Sequence, residues 1–290
     1  MMKALAFGEI LWDIIEGKHY IGGAPFNFAA HVVRNGGQAT ILSSVGNDEL
    51  GRRAIDEVNR LGVDSSMVAV HESRPTGTVD VFLREGQPDY TIHQQVAFDY
   101  ISDSALPAIF HQEFDVFYFG SLAQRNEVSS RSLDKILNST HFLQVFYDIN
   151  IRKAFYSREI VARSLERSTI FKINDQEAQI ISRLFFDQDL SLESFAQKII
   201  NRFEVPLVII TAAEKGCYVA SEGEFIHVSA VPVMVADAVG AGDAFSAAFV
   251  SNLLRTRDIR QAAEVANRVG AFVASQRGAI PDYPAELQLG

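Results

Sequence analysis

Cysteine is nearly absent from this chain. Of 290 residues only Cys217 carries a thiol, so no internal disulfide framework holds the fold and a reducing, cytoplasmic setting is expected. The expected role of Cys217 is that of a small buried apolar residue. Positive charge is also scarce: 26 Lys and Arg stand against 36 Asp and Glu, a net charge of −10. Such a chain lacks the basic footprint of a general nucleic-acid binder, although a local anion site can still be positive. No apolar run approaches the length of a membrane span, so no membrane partner is expected. The N-terminus has Lys3 alone ahead of a short apolar stretch, which reads as a first strand and not as a signal peptide. Repeats, low-complexity runs and linkers are missing too. With 48% hydrophobic residues, the composition predicts one α/β domain over 1–290 with a small appendage.

What is present is a βαβ rhythm. Apolar strand-like runs at Ala4–Ile10, Ala39–Val45, Phe114–Phe119, Phe142–Asp148, Thr169–Ile173 and Leu207–Thr211 alternate with helical stretches such as Glu49–Leu61, Arg131–Ser139 and Ile259–Ser275. That alternation predicts a mostly parallel sheet flanked by helices. The rhythm breaks from Val63 to about Tyr100. There Met67–Val70, Thr76–Leu83 and Tyr90–His93 read as short strands with Glu85-Gly86 and Pro88 between them, expected to pair antiparallel.

The chain is organised around Asp237-Ala-Val-Gly-Ala-Gly-Asp-Ala-Phe245. The apolar run Val231–Ala236 before it reads as a buried strand, and Ala244–Leu254 after it as a helix. Gly240 and Gly242 free the backbone between them. The first-turn N–H groups and the helix dipole then make an anion site. Phe245 stands where a dinucleotide fingerprint needs its third glycine, and the lysine of an NTPase phosphate loop is missing. Instead Asp243 sits inside the anion site. It is either a first-turn carboxylate complementing the dipole or a base that takes a hydroxyl proton during attack on phosphorus.

A second glycine turn, Gly22-Gly-Ala-Pro-Phe-Asn27, opens a helix with Pro25 in its first turn. Asn27 suits a local cap, or a ligand hydroxyl that its amide meets as donor and acceptor together. Asp13 follows an apolar run near a strand's carboxyl end, where α/β proteins bind ligands.

These two spaced motifs resemble the N- and C-terminal signatures of the PfkB, or ribokinase-like, carbohydrate kinases, and the likeness covers nearly the whole chain. The resemblance implies a ribokinase-like α/β fold whose β-sheet lid is formed by approximately 12–20 and 66–98. It implies an ATP-dependent sugar kinase with Asp243 as base and the N–H groups of Gly240, Ala241 and Gly242 as the anion hole. Sugar contacts are expected from Asp13, Gly22, Gly23 and Asn27, with Tyr90 and Phe98 packing from the lid. Arg152, in Asp148-Ile-Asn-Ile-Arg152, is expected at substrate or phosphoryl charge, or in a surface salt bridge.

ATP contacts are expected from Asn174, Thr211, Ala213, Gly216, Asn267 and Ala271, and Glu177 would act on Mg2+ indirectly. Asn174 and Glu177 also read as a helix-capping pair. Ala213 replaces a family glycine, so a positive φ there would alter the contact. Asp237 and Val239 are expected beside a monovalent cation, K+. Gly8-Glu-Ile-Leu-Trp-Asp13 and Ala24-Pro25 tilt the resemblance toward fructokinases, with fructose as acceptor. Kinases for 2-keto-3-deoxygluconate, ribose or a nucleoside remain alternatives, as does a non-catalytic sugar-binding protein of the same fold. Bare lid edges would be a liability, so a homodimer through the lid is expected.

Overall fold

The computed structural model describes residues 1–84 and 87–287. Strands and helices are numbered in chain order. The large sheet runs, edge to edge, through Glu224–Val228 (β13), Cys217–Ser221 (β12), Leu207–Thr211 (β11), Ile170–Asn174 (β10), Gln144–Asp148 (β9), Val116–Gly120 (β8), Lys3–Phe7 (β1), Gln38–Gly46 (β4) and Val68–His71 (β5). From β11 to β5 every pairing is parallel, and β12 and β13 close one edge antiparallel. A smaller sheet holds Lys18–Gly22 (β3), Leu11–Ile15 (β2), Gly77–Arg84 (β6) and Gln87–Ile92 (β7) in that order. The helices are Ala24–Arg34 (α1), Glu49–Arg60 (α2), Leu106–Phe110 (α3), Glu127–Ser139 (α4), Arg158–Leu165 (α5), Asp175–Phe186 (α6), Leu192–Phe203 (α7), Ala241–Thr256 (α8) and Ile259–Ala274 (α9). This is the ribokinase-like arrangement.

Side chains alternate across each strand, so the sheet has two buried faces. Ala4 and Ala6 of β1 face the core that contains α1, α8 and α9, while Leu5 and Phe7 face the core on the α4–α7 side. The small side chains of β1 let α1 come close to the sheet centre, and Phe28 of α1 stacks on Tyr118 of β8 at 3.9 Å. Helix α1 is therefore packed over the central strands, and α8 packs against α1 and α9.

Three expectations change. Met67–Val70 does not join the small sheet. It becomes β5, parallel to β4 in the large sheet, with Ser43 opposite Val68. The β4–α2–β5 segment is a crossover unit, and such a unit returns its second strand to the same sheet. The small sheet is also mixed, because β2 pairs parallel with β6. Finally, Val231–Ala236 forms no strand. The chain leaves the sheet edge after β13, and Val233, Met234 and Val235 are 40%, 89% and 63% exposed. Instead of a strand partner, one carbonyl of α9 holds it: Ala236 and Asp237 both donate N–H to Ala274 O. β-branched composition alone does not supply a neighbouring ladder. The turn expected at Glu85-Gly86 lies outside the described residues.

Candidate active site

Two helices that begin on glycines meet at the carboxyl ends of the central strands. Gly23 precedes α1 with φ +114°, and a Cβ there would lie 2.3 Å from Glu9 O. Gly240 precedes α8 with φ +79°, and a Cβ there would lie 2.4 Å from Ala279 O. Neither helix has a side-chain cap. Ala241 N–H reaches Ala238 O at 3.3 Å, while among the described residues the N–H groups of Gly240, Gly242 and Asp243 meet no protein acceptor. The start of α8 is thus an open anion turn.

Asp243 lies in the first turn of α8, half-buried, and its Oδ2 accepts a hydrogen bond from Asn27 Nδ2 at 2.8 Å. Asn27 lies in the first turn of α1, so this contact joins the two glycine turns. Burial, and then the Asp148 carboxylate, push the Asp243 carboxyl up to about 7, while Asn27, Lys172 and Arg152 oppose the shift. That places its titration where a general base is useful.

Beside the α1 turn stand the β1–β2 connection, β2 and the end of β3. A Cβ on Gly22 would come within 3.0 Å of Asp13 Oδ2, so Asp13 lies against the glycine turn. Burial raises Asp13 to about 6, with Arg152 opposing. Glu9 is buried beside it, and burial raises its carboxyl too. Exposed Arg152 acts on Glu9, Asp13 and Asp243 together, which sets its charge close to all three carboxyls. Two buried acceptor atoms here, Glu9 Oε2 and Asn27 Oδ1, have no partner among the described residues. An orphaned buried acceptor is costly unless something else satisfies it. Tyr90 is half-buried on the small sheet under Lys153, whose Nζ is 4.8 Å from its ring centre. Phe98 is not brought to the groove surface. It is fully buried beneath Gly77, with Arg125 stacked 4.9 Å over its ring.

Beneath the anion turn lies a polar cluster that composition did not reveal. Lys172 Nζ donates to Asp148 Oδ2 at 2.7 Å, and Tyr118 and Ser246 hydroxyls donate to the same oxygen at 3.0 and 3.1 Å. All of these groups are buried. Burial alone would lower the Lys172 ammonium, but the Asp148 charge and hydrogen bond outweigh it and hold the group above its ordinary value. A Cβ on Gly242 would come within 3.5 Å of Lys172 Nζ, so a cation underlies the anion turn. The signal was present: Lys172 interrupts the apolar strand Ile170–Asn174, and a charge inside a buried strand needs a reason.

Further along the sheet, Asn174 and Thr211 end neighbouring strands in register. Asn174 caps α6 and forms a reciprocal box with Glu177, whose carboxyl also accepts Ile151 N–H at 2.6 Å. Ala213 has φ +44° and Gly216 φ +92°. Asn267 donates its amide to the carbonyls of Val228 and Ser229 at 3.0 and 3.1 Å, tying α9 to the end of β13. Its side chain also bonds the buried Cys217 thiol, which burial raises to about 12. Ala271 is half-buried one turn further along α9. Asp237 accepts N–H from Val239 at 3.0 Å and from Gly278 at 3.2 Å. The exposed apolar run Val231–Val235 borders this side.

Known proteins resemble this chain along nearly its whole length. Residues 4–286 match the sequence profile described as pfkB family carbohydrate kinase. A fructokinase of Escherichia coli is 26% identical over 284 residues, covering 92% of this chain and 90% of its own length. Fructokinase-1 of Oryza sativa subsp. japonica is 26% identical over 315 residues, covering 98% and 95%. The crystal structure of a Vibrio cholerae O395 fructokinase, in a form bound to fructose, ADP and calcium ion, superposes with a TM-score of 0.86 at 25% identity, covering 99% of this chain and 98% of that one. With the same fold and a profile spanning almost its whole length, this chain belongs to the pfkB family of carbohydrate kinases, fructokinase-like phosphotransferases that act on an alcohol group.

Proposed function

We propose that this sugar kinase transfers the γ-phosphoryl group of ATP to a primary hydroxyl of a free hexose, with fructose as its preferred acceptor. The observation that carries this reading is the 2.8 Å hydrogen bond from Asn27 to Asp243. It places a carboxyl of about neutral pKa between an acceptor turn and an anion turn. The fructokinase relatives and the fructose- and ADP-bound neighbour supply the choice of substrates.

Asp13, Gly22, Gly23 and Asn27 hold the sugar, and its hydroxyls satisfy the orphaned acceptors Asn27 Oδ1 and Glu9 Oε2. Asp243 takes the proton from the attacking hydroxyl as its oxygen bonds to the γ-phosphorus and the bond to the ADP oxygen breaks. The open N–H groups of the Gly240–Gly242 turn and the cation of Lys172 face the charge on the transferring group. Arg152 adds positive charge at the groove mouth. Tyr90 closes over the sugar from the small sheet, and Phe98 supports that wall from beneath.

Asn174, Thr211, Ala213 and Gly216 line the phosphates of the nucleotide. Ala271 and the apolar run Val231–Val235 flank its base, with Asn267 shaping that wall. Glu177 fits a magnesium role only through water, since both its oxygens already accept backbone N–H groups. The magnesium would screen the phosphate charge. Asp237 and the Val239 backbone fit a loop organised around a monovalent cation. Equal turnover in potassium and in a bulky organic cation would remove that assignment. The small sheet exposes Ile15, Tyr20 and Phe82, which suits a homodimer through this sheet; a monomer in sedimentation equilibrium would overturn it. A cytoplasmic location goes with the same reading.

The test is coupled ADP release over fructose, glucose, ribose, 2-keto-3-deoxygluconate and a nucleoside. Fructose is expected to show the highest kcat/KM by at least about tenfold. A larger value for any other acceptor overturns the fructose assignment, and no ADP release on any of them overturns the kinase reading.

A further inference from the structure

His31 lies on α1 one turn beyond Asn27 and is wholly buried. Its Nε2 is 2.9 Å from Ala279 O, and its Nδ1 is 2.7 Å from the Tyr283 hydroxyl. A backbone carbonyl only accepts, so the Nε2 proton is fixed and the Tyr283 hydroxyl donates to Nδ1. Burial holds the imidazole down at about 4, with the charge of Arg34 acting in the same direction and the Ala279 bond opposing. The ring is therefore neutral and has one tautomer. Arg34, also on α1, pairs with Asp282 at 2.6 Å. Helix α1 thus grips the segment 279–283 at three residues, through His31 and Arg34.

The other side of that segment bears on the phosphate turn. The Ala279 carbonyl that His31 holds lies where a Cβ of Gly240 would be, 2.4 Å away. Gly278 N–H donates to Asp237 Oδ2 at 3.2 Å. Two routes therefore run from α1 to the anion turn: Asn27 directly to Asp243, and His31 through Ala279 to Gly240. We propose that His31 is a positioning residue for phosphoryl transfer, fixing the Ala279 carbonyl against Gly240 so that the Gly240–Asp243 turn keeps its register with the acceptor helix. This rests on the kinase reading for its consequence, but not for its structural claim. A histidine that merely filled the core would support stability everywhere and the turn no more than any other segment.

The experiment compares His31→Val, which removes both hydrogen bonds, with His31→Gln, whose amide can still donate to Ala279 O. Hydrogen exchange by mass spectrometry is read on ligand-free protein, because that needs no substrate. In His31→Val, exchange over 236–246 is expected to accelerate about tenfold or more, while β10 and α6 keep their protection. With fructose and Mg·ATP, kcat is expected to fall roughly 10- to 100-fold, with the sugar KM within about twofold. His31→Gln is expected to recover most of both effects. Unchanged exchange over 236–246, or acceleration spread evenly over the chain, overturns the proposal, as does an unchanged kcat in an active enzyme. If His31→Val does not fold, Tyr283→Phe removes the Nδ1 donor and leaves the imidazole in place. A smaller acceleration confined to the same peptides is then expected, and its absence counts against the proposal equally. Lack of turnover in the native protein would instead sink the kinase reading and leave the exchange result standing.

Discussion

Apart from the short α3, which starts after Ala105 without a side-chain cap, the described helices start in two ways. Asp48, Asn126, Ser157, Asn174, Ser191 and Asp258 cap α2, α4, α5, α6, α7 and α9 with side-chain oxygens that accept first-turn N–H groups. Helices α1 and α8 start on glycines with positive φ and carry no such cap. The capped starts satisfy their own donors and contribute stability. The start of α8 leaves donors open, whereas at α1 the Ala24 N–H bonds the buried Glu9 carboxyl and Pro25 has no N–H; the two starts carry the polar residues that meet each other, Asn27 and Asp243. Stability and chemistry are divided between two classes of the same element.

The largest expected effect tests the open start of α8. Asp243→Asn keeps the shape and a hydrogen-bonding partner for Asn27 but cannot take a proton. Turnover should fall by about 10²–10⁴-fold. The folded-state pKa is raised from 3.8 to about 7, so the carboxyl costs the fold stability as pH rises through that window. At pH 8 the variant should therefore unfold at higher denaturant than the parent, by an amount on the order of a few kcal/mol. In the parent, turnover should rise with pH through about 7. A variant both active and less stable would erase the division.

Next in size is Lys172→Met. It leaves Asp148 buried without its cation, which should cost about 3–5 kcal/mol in denaturant unfolding. Asp148→Asn in the same background should restore most of this, since no lone charge is then left. Failure of that rescue would mean that Lys172 acts by packing alone.

A capped start should behave in the opposite way. Ser191→Ala at α7, where the Ser191 hydroxyl accepts Ser194 N–H at 3.2 Å, should cost about 1 kcal/mol with kcat unchanged. The smallest effect is expected at Ala213, held at φ +44° where glycine is at ease. Ala213→Gly relieves left-handed strain of about 1–2 kcal/mol, partly offset by about 0.4–1 kcal/mol of added unfolded-state entropy. A melting temperature equal to or slightly above the parent's is expected, and a clear loss of stability would show that the alanine methyl is held by packing.

Both glycine turns were legible in the sequence because such a turn requires only local features: bare Cα atoms, a following helix, and one polar residue in the first turn. The parallel sheet was legible from its periodicity. The Asn174–Glu177 box was also readable, since capping depends on spacing alone. What was hidden depends on partners. Val231–Ala236 has the composition of a strand but no neighbouring ladder, so it lies exposed. Met67–Val70 went to the large sheet because a crossover returned it there. Phe98 looked like a groove residue, but Gly77 and Arg125 enclose it. Asp148 and Lys172 stand 24 positions apart, and only the register of β9 with β10 brings them together.

One buried atom has a practical consequence. The sulfur of Cys217 sits sealed between β11 and β13 with its proton held to about pH 12, so the native fold should be inert to maleimides and iodoacetamide. Any cysteine introduced at an exposed position becomes the single reactive handle of the molecule, with no background to engineer away. A dye placed that way on the small sheet would show whether that sheet shifts when sugar is added.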